Sequence, residues 1–185
     1  LLPPIPPTSY LLPPTSYLLP PTCYLLPPTC YLLPPTCYLP PAAVVYREYA
    51  PDDNYAKILK VEDIDSPKPK PDEVVFTNKA SALNYNDIWG MRGVPIAIPL
   101  PHVSGSDVAG DVIAVGEDVK GFKVGDRVVS HSNLACRVCS ACTSGREFDC
   151  TRRQVWGFQT GPLWGAYSEE VHLPEVNVSH MRNLI

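Results

Sequence analysis

Four cysteines constrain this chain more than anything else in it. Cys136-Arg-Val-Cys139-Ser-Ala-Cys142 places three at three-residue spacing, and Cys150 follows after seven further residues. Thiolates so spaced can converge on one point, and zinc asks for about four of them in a tetrahedron at roughly 2.3 Å. With cysteine at every position no vertex remains for water or substrate, so such a site holds a loop together and does no chemistry. Two other uses of the same residues stand beside this one: a redox pair in one of the C-x-x-C steps, or two disulfides. Between Cys142 and Cys150 only Phe148 offers a core side chain. A bound metal would therefore contribute on the order of 10 kcal/mol to a lobe with almost no apolar core. Arg137, Arg146, Arg152 and Arg153 lie near enough in sequence to offset the thiolate charge, or stand as ordinary solvated surface.

A chain of 185 residues suffices for one domain with a real core and not for two. Its net charge of −4, without a basic run, argues against a nucleic-acid partner. Of the seven cysteines, Cys23, Cys30 and Cys37 belong to an N-terminal repeat and the other four to the lobe. Free thiolates for zinc point to a reducing compartment, hence to a cytoplasmic protein. Nothing resembles a secretory leader, and prolines interrupt the Leu-rich region before it reaches the length of a membrane helix, so no membrane partner is expected.

Residues 1–41 are a proline-rich, low-complexity heptapeptide repeat: LLPPTSY once, then LLPPTCY three times. A period of seven suggests a coiled coil, but the Pro-Pro pair in each unit forbids a helix. Polyproline II or disordered chain is what remains. One use is as a ligand for an aromatic-lined groove; the blander reading is a tract without function, translated from repetitive DNA. From residue 42 the texture becomes that of a folded domain, 42–185. Strands are expected over 43–47, 58–61, 72–83, 108–115 and 127–130, with an extended turn over 67–71 and one or two helical turns over 84–91, ended at Gly93. Short strands between Gly, Pro and Asp turns predict a mainly β (α+β) barrel or sandwich rather than a doubly wound sheet.

At this point the chain resembles the medium-chain dehydrogenase/reductase (zinc alcohol dehydrogenase) family. The C-x2-C-x2-C-x7-C lobe is similar to its structural zinc lobe. Gly105-Ser-Asp-Val-Ala-Gly110 resembles its G-H-E-x-x-G element, Val124-Gly-Asp-Arg-Val-Val129 its V-G-D-x-V turn, and Gly165-Ala-Tyr-Ser-Glu-Glu-Val-His-Leu-Pro174 the segment that closes its barrel. The resemblance implies a chaperonin-10-like (GroES-like) barrel bearing a zinc lobe, acting on a small-molecule substrate. In the family a nucleotide-binding Rossmann domain begins near where this chain stops, at Ile185, before any G-x-G-x-x-G. The Rossmann domain is therefore expected to be missing, and the chain to be a fragment that leaves NAD(P) binding, and any homo-oligomer formed through that domain, to the full-length enzyme. No cofactor-binding residue can be named.

The family's catalytic zinc takes a cysteine and a histidine where this sequence has Asn84 and Ser106. Amide and hydroxyl are poor ligands for that ion, so the resemblance implies a structural zinc without a catalytic one. It then points to the branches that look like quinone oxidoreductases and enoyl-CoA reductases. These reduce an activated alkene, quinone or carbonyl, with hydrogen bonds to the oxygen that gains charge. Asn84 and Tyr85 are the candidates for that role; against it, an asparagine opening a helix is commonly an N-cap. Asp87 and Asp107 are expected to be structural, His102 a turn or core residue, and His131 either at the active-site mouth or on the surface. Two other readings stay open: a zinc-stabilised binding module that presents its proline-rich tail, and an inactive truncated product.

Overall fold

In the computed structural model residues 40–181 are described. The expectation for residues 1–41 therefore falls outside them, Pro40 and Pro41 excepted. The described elements are β1 (Ala42–Tyr46), α1 (Tyr55–Ile58), β2 (Lys60–Asp63), β3 (Glu73–Ala82), α2 (Tyr85–Arg92), β4 (His102–Val103), β5 (Asp107–Val115), β6 (Arg127–Ser130), β7 (Asn133–Leu134), α3 (Ser140–Thr143), β8 (Gln154–Val155), β9 (Glu170–Pro174) and β10 (Val178–His180).

The central element is β3. Its run Val74-Val75-Phe76 is buried on both faces, as a strand rich in β-branched and aromatic residues can be when a partner lies on each side. Those partners are β5 and β9, both antiparallel, within a five-stranded sheet of order β10-β6-β5-β3-β9. Two register shifts in the β3–β5 ladder, at Val75/Phe76 and Asn78/Ala80, bend the sheet as bulges do. Gly110 sits opposite the second: a Cβ there would lie 1.5 Å from the Thr77 carbonyl oxygen, so only glycine permits this approach. A second sheet, β2-β1-β4, continues the curl past β9. The Val44 N–H donates to the Tyr167 carbonyl at 2.8 Å and the Glu169 N–H to the Ala42 carbonyl at 2.9 Å. The result is the mainly β, curled half-barrel expected of a GroES-like domain. Val74, Phe76, Val112, Val128, Trp156, Val171 and Leu173 form its apolar centre.

Residues 58–61 depart from expectation. Tyr55–Ile58 winds into one helical turn and the strand starts only at Lys60. The turn carries Ile58 inward, where it is buried with Tyr46, Met91 and Phe158; a continuous strand would not do so. Gly93, at φ +71°, ends α2 in the left-handed conformation, the usual role of glycine after a helix. Among the described residues no helix is long and apolar enough to cross a membrane.

Candidate metal centre and active site

The two-stranded ribbon β7–β8 is the stem from which residues 135–153 loop out. Phe148, the one core candidate from sequence, is 76% exposed and lies under the Arg153 guanidinium, 4.3 Å away. Between 135 and 153 the buried residues are Cys142 and Cys150. Sulfur is therefore the interior of this lobe.

Cys136, Cys139, Cys142 and Cys150 bring their Sγ atoms within 4.8 Å of one another. The Cys136–Cys142 separation is 3.8 Å and the Cys139–Cys142 separation 3.5 Å. A tetrahedron with metal–sulfur bonds of 2.3 Å has edges of about 3.8 Å. A disulfide needs about 2.05 Å, and all four thiols are free. The four cysteines thus fit a zinc ion, and they fit neither bridge. Main-chain amides prepare the sulfurs for charge. The Val138 N–H, more than any other group, holds the Cys136 thiol down to about 5, helped by the Cys139 amide. The Cys136 N–H does the same for Cys150, at 3.5 Å. Burial pushes Cys142 up to about 12 in the absence of a cation.

The four arginines divide. Arg152 donates its side chain to the Cys136 sulfur. Arg137 pairs with Glu147 at 3.3 Å and Arg146 with Asp149 at 3.9 Å. Arg153 donates to the Phe148 carbonyl at 3.0 Å. His131 is exposed and lines a cavity beside this lobe with Arg137 and Arg153.

The second site gathers around the start of α2. Asn84 is the N-cap residue, and its N–H donates to Asp87 Oδ2 at 2.8 Å. The same carboxylate accepts the Gly105 N–H at 3.1 Å and the Tyr167 O–H at 2.7 Å. Asp87 is only 4% exposed, and these three donors make it a structural anchor that ties α2 to the turn before β5. The Asn84 side-chain amide donates to Asp107 Oδ2. Tyr85, 60% exposed, stands edge-on to Trp89 with ring centroids 5.3 Å apart. Ser106 is buried, and its hydroxyl has no partner among the described residues. His102 is a core residue, fully buried, with Nε2 3.2 Å from the Gly157 carbonyl. Burial lowers its pKa.

Asn84 and Tyr85 face a cavity of about 460 Å³ whose wall includes Val44, Leu59, Leu83, Ile88 and Met91. Tyr46, Ser104 and Tyr167 also line it. The sequence pointed to none of these three, because each arrives from a different part of the chain. Burial raises the pKa of Tyr46 and of Tyr167 well above the ordinary phenol range.

The family described as "Alcohol dehydrogenase GroES-like domain" matches residues 70–183. The chain belongs to that family. Among curated proteins it is 35% identical over 108 residues to the crotonyl-CoA carboxylase/reductase of Cereibacter sphaeroides, covering 55% of this chain and 25% of that protein. It is 33% identical over 127 residues to the L-threonine 3-dehydrogenase of Caldanaerobacter subterraneus, covering 66% of this chain and 35% of that one. Among solved structures, an NAD-dependent alcohol dehydrogenase superposes with a TM-score of 0.67 at 41% identity, over 75% of this chain and 39% of that chain. The match therefore spans about a quarter to two fifths of these relatives' lengths. Family membership makes the half-barrel the counterpart of a domain found in NAD(P)-dependent oxidoreductases.

Proposed function

We propose that this chain is the N-terminal catalytic domain of a nicotinamide-dependent medium-chain oxidoreductase. In this reading it holds one structural zinc and no catalytic zinc, and it acts on an activated alkene, quinone or carbonyl. The observation that carries the proposal is the pairing of a closed sulfur tetrahedron with an active-site corner poor in metal ligands. Cys136, Cys139, Cys142 and Cys150 would hold the zinc and leave it no open position. Asn84, whose amide is engaged by Asp107, and Ser106, a buried hydroxyl, offer a catalytic zinc neither thiolate nor imidazole. A bound nicotinamide would supply the hydride. The chain's own residues would bind the acceptor in the apolar cavity, keep water from it, and direct donors at its oxygen. Asn84 and Tyr85 are the donors assigned to this role in the reading, which is supported by their both lining the cavity.

Elemental analysis of protein purified with zinc present tests the metal half: one ion per chain is expected. Two ions would overturn the loss of the catalytic site, and none would overturn the structural one. The reading also expects residues 1–185 alone to lack nicotinamide-dependent turnover. NAD(P)H oxidation by this chain with a quinone, enone or aldehyde would show that it needs nothing further.

A further inference from the structure

Outside the cysteine lobe, Arg47 and Arg92 each give two N–H groups to a single carboxylate, that of Glu62 and that of Asp53. This is the pairing a guanidinium fork prefers. Three arginines of the lobe are held differently. Arg137 gives one N–H to Glu147, at 3.3 Å, and Arg153 one to the Phe148 main-chain carbonyl, at 3.0 Å. Arg146 meets Asp149 only at 3.9 Å, beyond hydrogen-bond range. A guanidinium has five N–H donors, so most of the donors on these three have no partner among the described residues. All three line one cavity of about 400 Å³. Among the described residues a single carboxylate, that of Glu147, lines it with them. The wall is therefore locally cationic in a chain whose net charge is −4. Phe148 and Val176 add apolar surface to the same cavity and are 76% and 62% exposed. Arg137 has φ +62°, a left-handed value that few residues other than glycine adopt, in the turn whose Val138 N–H reaches the Cys136 sulfur. The turn that serves the sulfur thus also sets where the Arg137 guanidinium stands.

We propose that this cavity binds a small phosphate monoester that carries an apolar group. Such an ester bears close to two negative charges at neutral pH and has three oxygens that accept hydrogen bonds. Guanidinium forks match those oxygens two at a time, and the excess of cations over Glu147 balances the charge. Phe148 and Val176 would cover the organic part. The volume is in the range of small-molecule sites and larger than a bare phosphate requires. A long nucleic acid fits less well, because a chain of net negative charge repels the phosphates that reach past the cavity. Glu147 competes with the ligand through its bond to Arg137. The proposal does not depend on the oxidoreductase reading, since this cavity shares no lining residue with the one beside α2.

The test is an amide NMR titration, near neutral pH, of the full 185-residue chain purified with zinc present. Phenyl phosphate and phenyl sulfate are alike in shape and differ by one charge. Phenyl phosphate is expected to bind in the millimolar range, with saturable shifts at the amides of Ala135, Gly145 and Val176, and phenyl sulfate roughly threefold more weakly. Arg146→Gln and Arg153→Gln should each weaken phenyl phosphate binding by roughly twofold to fivefold, the scale of one solvent-exposed ion pair. Glu147→Gln should strengthen it by a similar factor, which a merely solvated set of arginines would not produce. Arg47→Gln, at a paired site elsewhere, should change nothing. The Arg146 side chain is 68% exposed and supports no core, so if Arg153→Gln loses the lobe, Arg146→Gln and Glu147→Gln decide. Equal affinity for the two probes, no gain in Glu147→Gln, or no shifts in the lobe overturns the proposal. A single-stranded oligonucleotide that binds the same residues more tightly than phenyl phosphate overturns the choice of a small ligand. Each of these failures leaves the oxidoreductase reading untouched.

Discussion

The half-barrel and the cysteine lobe are two ways of closing a fold. In the barrel, Phe76 and its valine neighbours remove a broad apolar surface from water, so that no single residue decides the outcome. The lobe has no such surface: its apolar side chains, Val138 and Phe148, point outward at 71% and 76% exposure. Four sulfurs take the place of a core there. Stability in the barrel is distributed, and a metal bound in the lobe would concentrate it there in one set of bonds. The two should therefore fail independently.

Removing the metal should give the largest effect. Chelation, or Cys150→Ser, takes away on the order of 10 kcal/mol of metal-linked folding, all of it confined to residues 135–153. Hydrogen exchange is expected to show the lobe amides unprotected while those of β3 and β5 stay slow. If the barrel amides open together with the lobe, the separation is wrong. Next in size is Phe76→Ala. Phe76 is fully buried between β5 and β9, and truncation there should cost about 3–5 kcal/mol. A denaturant melt would register this loss with zinc affinity unchanged.

The contrast also explains what could be read from residues alone. The lobe was legible because its four cysteines lie within fifteen positions of one another, and the geometry a metal asks for translates directly into spacing. β5 and β6 were legible because valine-rich alternation is local. The cavity was not. Tyr46, Asp87, Ser104 and Tyr167 come together only because β1, α2 and the segments flanking β4 and β9 converge, and no window of sequence contains that convergence. Residues 58–61 misled for a related reason: apolar residues there suit either a strand or a helical turn, and the contact between Ile58 and Met91 chose the turn. Asn84 shows the limit of motif reading. It opens α2 as the N-cap, and its amide is turned to Asp107.

Acid should weaken the barrel through its buried histidines. His102 is fully buried, and the His172 side chain is 16% exposed. Burial is the largest influence on each and lowers both pKa values, although Glu73 and Glu170 pull His172 the other way. With the folded pKa below the unfolded value of about 6.5, the unfolded chain binds more protons as acid is added. The contribution is thus fully present above that value and lost as pH falls below it, by up to about 1.4 kcal/mol per pH unit for each histidine. Melting curves between pH 7.5 and 5 should show this slope, and His172→Asn should flatten it. An unchanged slope would place the proton uptake elsewhere.

The smallest expected effect is the one that best separates the lobe's arginines. Arg152 donates to a sulfur, whereas Arg146 reaches only Asp149, at 3.9 Å on the surface. Groups that hydrogen-bond a metal ligand commonly alter metal affinity by about 10-fold to 100-fold. The Arg152 side chain is open to solvent, which screens its charge, so the low end applies. Competition with a chromophoric chelator should find zinc held several-fold to about tenfold less tightly in Arg152→Ala, and unchanged in Arg146→Ala. Equal losses in the two variants would mean that the arginines act as diffuse positive charge around the thiolates. In that case the lobe, like the barrel, would draw part of its stability from many weak contributions, and the division between concentrated and distributed stability would narrow.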